Sequence, residues 1–118
     1  MDKLLELAAR LPSGLNDPRA LDKFHHERQE LAEALAADDW IGALLEAADC
    51  LYYITKAEHV GLISTAAATR EFFSMAVSTP FQIETIRAAA IAKYTLRARP
   101  GNPKDDAAER AAVAHLAQ

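Results

Sequence analysis

Four acidic residues stand in two short runs of one kind. Glu30-Leu31-Ala32-Glu33 is followed, twelve residues later, by Glu46-Ala47-Ala48-Asp49. On an α-helix a spacing of three puts two carboxylates on one side, about 60° apart. Carboxylates grouped in this way hold hard divalent cations or move protons. Their surroundings favour the first role. From Trp40 to Thr55 the only charged residues are Glu46 and Asp49. A helix apolar almost all round is a buried helix. Buried carboxylates are costly unless paired, hydrogen-bonded or bound to metal.

The two runs also fall on either side of Asp38-Asp39, a turn and cap signal. If the flanking helices run antiparallel, Glu33 lies opposite Glu46 and Glu30 opposite Asp49, with an offset of roughly 3 Å of rise. Glu27 lies on the same flank as Glu30 and Glu33, nearer the apolar stripe of Leu21, Phe24, Leu31 and Leu35. Four unneutralised acids at that range repel strongly. A divalent cation resolves the conflict, and an all-oxygen set suits Mg²⁺, with Mn²⁺ as a substitute.

The elements that must carry these residues are helices. The 118 residues include only four Gly and five Pro, and 51% are hydrophobic. That length and balance fit a single domain spanning residues 1–118 with a real core. Breakers divide the chain into about six helical pieces. These are expected over residues 2–11, from Asp17-Pro18 to about Ala37, from Trp40 to about Val60, and from Ser64 to about Val77. A fifth starts at Thr79-Pro80-Phe81-Gln82 and runs to about Ala98, and a last begins at Asn102-Pro103. The connections are short, so the expected fold is all-α, an antiparallel helical bundle of five or six helices.

Charge narrows the partners. The formal charge is −4, which argues against a general nucleic-acid polymer partner, since phosphate neutralisation needs a basic surface. A lone Cys50 forms no internal disulfide, so a reducing, cytoplasmic setting is expected. No apolar run is long enough to span a membrane, and Met1-Asp2-Lys3-Leu4-Leu5-Glu6 lacks the features of an export signal.

The pattern ExxE, twelve residues, ExxD resembles the MazG-like all-α nucleoside triphosphate pyrophosphohydrolases. Gln29-Glu30-Leu31-Ala32-Glu33-Ala34-Leu35 is similar to the family's first metal helix. Glu46-Ala47-Ala48-Asp49-Cys50-Leu51-Tyr52-Tyr53 is similar to its second. Lys93-Tyr94-Thr95-Leu96-Arg97 resembles, more weakly, its basic phosphate-contacting segment. The resemblance implies Mg²⁺ on Glu30, Glu33, Glu46 and Asp49, with Lys93 and Arg97 on a triphosphate. It implies hydrolysis of a (d)NTP to (d)NMP and pyrophosphate, in the service of nucleotide-pool cleansing, by a homodimer or tetramer. Glu30 or Glu27 is the expected activating base, and Tyr53, on the carboxylate side of its helix, is a candidate substrate contact. The chain departs from the family at two places. Gln29 stands where a second acid is common, with Glu27 one turn earlier as its substitute. Ala88, Ala89 and Ala90 stand where an Asn is common.

Narrower activities remain open at this point: a dUTP/dCTP or modified-nucleotide enzyme, or a phosphoribosyl-ATP pyrophosphohydrolase. A catalytically silent helical interaction module is the alternative outside enzymes. Other residues read as structural. His25 and His26 are ordinary helix residues, because a di-iron site needs Glu-x-x-His pairs that are missing. His59 and His115 are expected at the surface. Cys50 is expected to be packed and inert, and Trp40 to be core or, alternatively, part of a base pocket.

Overall fold

The structure, a computed structural model, describes residues 2–118. Six α-helices and a terminal 3₁₀ turn appear among them: α1 Lys3–Ala8, α2 Ala20–Ala36, α3 Trp40–His59, α4 Thr65–Val77, α5 Ile83–Arg97 and α6 Asp106–Val113. The all-α bundle read from composition is the observed architecture.

Side-chain caps explain several of the starts. Asp39 accepts a hydrogen bond from the Gly42 N–H at 3.0 Å, and Ser64 accepts from Ala67 at 3.1 Å. Each satisfies a donor that the first helical turn leaves unpaired. Gly61, at φ +80°, stops α3 as expected, and the Leu62 N–H donates back to the Ala57 carbonyl.

Three starts fall later than the sequence suggests, and in each the proposed capping side chain makes further contacts. Asp17 still receives the Arg19 N–H, but its second oxygen pairs with Lys23 and Lys56, and α2 begins at Ala20. Thr79 accepts from the Phe81 N–H and donates to the Ala76 carbonyl, so the chain stays in a turn until Ile83. Asn102 takes a left-handed φ of +46°, and its amide donates to the carbonyls of Arg10 and Arg97; Asp105 caps α6 instead. Asn tolerates that conformation better than most residues. α1 also ends short of Leu11, passing into tighter turn hydrogen bonds.

α3 is the centre of the fold. It packs against α1, α2, α4, α5 and α6, most extensively against α2. Its Ala43, Leu44, Ala47, Ala48, Cys50 and Ala57 have no exposed surface. The small side chains let neighbouring helices approach on several sides, and Phe24, Leu31, Ile86, Ala90 and Val113 fill the remaining space. Trp40 departs from its expected core position. It is 45% exposed, because it opens α3 at the end of the bundle, where it lines a surface hollow with Pro80 and Phe81.

Candidate metal centre

Three carboxylates converge between α2 and α3. Oxygens of Glu27, Glu46 and Asp49 lie within 4.8 Å of one another. Helix geometry explains which acids of α2 take part. Phe24 and Leu31 are buried and mark the face of α2 turned inward. At about 100° per residue, Glu27 lies roughly 60° from Phe24, Glu30 roughly 120° and Glu33 roughly 180°. Glu33 accordingly is exposed. Glu30 is half-buried on the flank, 3.3 Å from His26 Nε2. Of the four acids expected to hold metal, Glu46 and Asp49 are brought together. Glu27 joins them, while Glu30 and Glu33 stand outside the group of three.

The surroundings of the two α3 acids differ. Asp49 is buried and partnered: its Oδ1 accepts from the Tyr94 hydroxyl at 2.7 Å and meets the Lys93 ammonium at 2.7 Å. Burial holds its carboxyl above the ordinary value, against the opposing pull of Lys93 and Tyr94. Glu46 has less support. Its Oε2 is buried with no hydrogen-bond partner. Its carboxyl is pushed up to about 9, first by burial, then by the facing Glu27 and the nearby Asp49. Two carboxylates that face each other are acceptors only, so a proton or a cation must lie between them. An orphaned oxygen in an all-carboxylate group fits a hard divalent ion.

The cations assigned to phosphate are both engaged. The Lys93 side chain is only 6% exposed, and its ammonium also lies 3.7 Å from Glu109 Oε1. Arg97 forks onto Glu109, with Nε at 2.7 Å and one terminal nitrogen at 3.2 Å. The pairing with Glu109 raises the Arg97 guanidinium further above its already high value. Arg97 keeps the greater access, with 24% of its side chain exposed. Tyr53 is half-buried, packed edge-on against Tyr52, with the Lys23 ammonium 5.6 Å from its ring centre. Burial, followed by the charges of Asp49 and Glu27, pushes its hydroxyl up to about 12.

Two members of this network are absent from the sequence reading. Tyr94 lies inside the quoted basic segment, but its bond to Asp49 depends on the crossing of α3 and α5. Glu109 is the buried acid of α6, and it shares a stripe with buried Val113 four residues on. A lone acid on the apolar face of a short helix is the signal that points to it. Cys50 is buried, and burial plus the neighbouring acids push its thiol well up, which suits packing and not attack. His59 and His115 are exposed. No helix of the described residues is long and apolar enough to cross a membrane. No protein-family model matches the chain, no curated protein matches it, and no solved structure matches it.

Proposed function

We propose that the chain is a divalent-metal-dependent pyrophosphohydrolase of nucleoside triphosphates, with the products a nucleoside monophosphate and pyrophosphate. One observation carries the reading: Glu27, Glu46 and Asp49 converge in a helical hairpin, with a buried Glu46 oxygen left unsatisfied. These three residues would hold Mg²⁺ or Mn²⁺, with Glu30 at the flank. The ion, when bound, supplies charge neutralisation for a polyphosphate.

The chain's own residues supply the rest. In the overall reaction water oxygen bonds to the α-phosphorus, the bond to the α–β bridging oxygen breaks, and pyrophosphate leaves. The water's proton passes to a carboxylate. Glu27 is half-buried beside the cluster and is the first candidate to receive it; Glu30, more open and next to His26, is the second. Arg97 is the accessible cation for the departing phosphates, and Lys93 holds the Asp49 carboxyl in place. The same reading places the protein in the cytoplasm and makes it a homodimer or tetramer. Exposed Phe73 and Val77 offer apolar surface for self-association. A monomer by light scattering at micromolar concentration overturns that part.

A second reading is a silent helical interaction module. Asp49 favours it, because Lys93 and Tyr94 already satisfy this acid from within. Phosphorus NMR of the products from a panel of canonical and modified (d)NTPs with Mg²⁺ separates the two. NMP plus pyrophosphate is expected, lost in Glu46→Gln with helicity unchanged. Its rate ranking tests the narrower dUTP/dCTP specificities, and phosphoribosyl-ATP belongs in the panel. NDP plus orthophosphate overturns the reaction assigned. No product, with Mn²⁺ still bound, supports the silent module.

A further inference from the structure

Two neighbouring residues of α5 converge on one oxygen of α3. The Tyr94 hydroxyl donates to Asp49 Oδ1 at 2.7 Å, and the Lys93 ammonium meets the same Oδ1 at 2.7 Å. Consecutive residues of a helix point about 100° apart. For both to reach one atom, the Asp49 carboxylate must sit in the notch between them. A carboxylate oxygen offers two lone pairs, and these two donors fill both on Oδ1. Among the described residues no hydrogen bond reaches Oδ2.

Tyr94 is a fixed donor. It is buried, and its ring stacks on Tyr52 with centres 3.7 Å apart and planes 9° from parallel. Burial, followed by the charge of Asp49, holds its hydroxyl well above the ordinary value, so the proton stays on Tyr94 and the bond runs toward the carboxylate. The stacked Tyr52 is buried as well, yet its hydroxyl has no partner. Packing accounts for both rings of the stack, but only Tyr94 adds a bond to the acid cluster. Oδ2 is then the oxygen that Asp49 has to offer beside Glu27 and Glu46. A carboxylate that ligates through one oxygen suits Mg²⁺ and Mn²⁺, which favour octahedral oxygen sites. Ca²⁺ takes more oxygens and often uses both of one carboxylate.

We propose that Tyr94 is a positioning residue of the metal centre: with Lys93 it occupies Asp49 Oδ1, restricts Asp49 to ligation through Oδ2, and so biases the site toward Mg²⁺ and Mn²⁺ over Ca²⁺. The inference rests on the reading that Glu27, Glu46 and Asp49 hold a divalent ion, and not on the reaction assigned to that ion. Partners that orient a ligating carboxylate matter to metal affinity nearly as much as the ligands do. Tyr94 acts through Asp49 and touches neither the ion nor a substrate.

The test titrates the full chain, without nucleotide, with Mn²⁺ followed by electron paramagnetic resonance, and with Mg²⁺ and Ca²⁺ as competitors. The wild type should take Mn²⁺ and Mg²⁺ more tightly than Ca²⁺. Tyr94→Phe keeps the stacked ring and removes only the hydroxyl. It should weaken Mn²⁺ and Mg²⁺ binding roughly tenfold or more. Ca²⁺ should lose less, because the lone pair set free on Oδ1 lets Asp49 chelate with both oxygens, so the preference for Mg²⁺ over Ca²⁺ narrows. The spectrum of bound Mn²⁺ should change with it. Tyr52→Phe removes the other hydroxyl of the same stack and should leave all three affinities as they are. Damage to the fold would weaken the three cations alike, so equal losses in Tyr94→Phe overturn the proposal. So does unchanged binding in that variant, or a wild type that takes Ca²⁺ at least as tightly as Mn²⁺. Failures of the two readings are distinguishable. A wild type that binds no Mn²⁺ removes the metal centre, and the role of Tyr94 with it. Mn²⁺ binding that is the same in wild type and Tyr94→Phe removes the role of Tyr94 and leaves the centre.

Discussion

The Lys93 ammonium and the Asp49 carboxylate meet at 2.7 Å in the interior, with side-chain exposures of 6% and 11%. A pair this deeply desolvated is weak evidence of net stabilisation, but losing one partner strands the other. Lys93→Met should therefore cost about 3–5 kcal/mol. Adding Asp49→Asn should recover part of that loss, because the amide oxygen still accepts from Tyr94 and no charge is left unpaired. Denaturant unfolding of the single and double variants checks this. A double variant less stable than Lys93→Met alone would show that the pair does not hold the site together.

The Glu46 carboxyl sets a pH dependence whose sign follows from its raised value. Its folded value is about 9 against an ordinary 4.5. The folded state thus holds a proton that the unfolded chain has lost between those values. Its contribution is fully present below about 4.5 and is lost as pH rises through about 9, at up to roughly 1.4 kcal/mol per pH unit. Asp49, also raised by burial, acts in the same direction. A divalent cation must displace the proton, so its affinity should increase with pH. Melting temperatures in EDTA should fall from pH 5 to 9, and Mg²⁺ should open a gap that widens with pH. Glu46→Gln should flatten the EDTA curve. A gap constant with pH would remove Glu46 from the metal centre.

The three α2 acids should separate cleanly in metal binding. Glu27 joins the cluster, Glu30 is on the flank with His26, and Glu33 is exposed. Mn²⁺ titration followed by electron paramagnetic resonance should show a loss on the order of tenfold or more in Glu27→Gln. Glu33→Gln should stay within about twofold, as surface changes remote from a site do. The opposite order would restore the ExxE pair as the ligand set on α2.

That contrast also shows what was legible in the residues themselves. The helical architecture was, because breakers and caps are local. So was the burial of α3, since a stretch with only two charges has no solvent face. Glu46 and Asp49 followed from that burial. On α2 the residues offered Glu27 only as a substitute, because hairpin register alone favoured Glu30 and Glu33, whereas the inward direction of Phe24 and Leu31 turns Glu27 toward Glu46 and Asp49. The engagement of Lys93 and Arg97 was not legible either. It depends on helix crossings: Asp49 of α3 takes Lys93, and Glu109 of α6 takes Arg97. The late starts of α2 and α6 have a similar origin, long-range partners at Asp17 and Asn102, whereas the late start of α5 is local, in the turn that Thr79 holds between Ala76 and Phe81.

Gly42 offers a test of the geometry at the head of α3. It stands in the first turn, and a Cβ built there would collide with the Asp39 carboxylate. That carboxylate caps the Gly42 N–H and receives Arg110 at 2.7 Å. The guanidinium and the capped N–H hold the Asp39 carboxyl below its ordinary value. Replacing a helical Gly by Ala normally stabilises by about 0.5–1 kcal/mol. Here Gly42→Ala should instead destabilise by about 1 kcal/mol, the usual cost of a lost cap. The collision requires both residues, so in an Asp39→Ala background the same change should regain its normal stabilising sign. Thermal melts of the wild type, both single variants and the double variant give the coupling directly. Additive effects would mean that Asp39 can leave its cap freely and that the collision does not set the sign at Gly42.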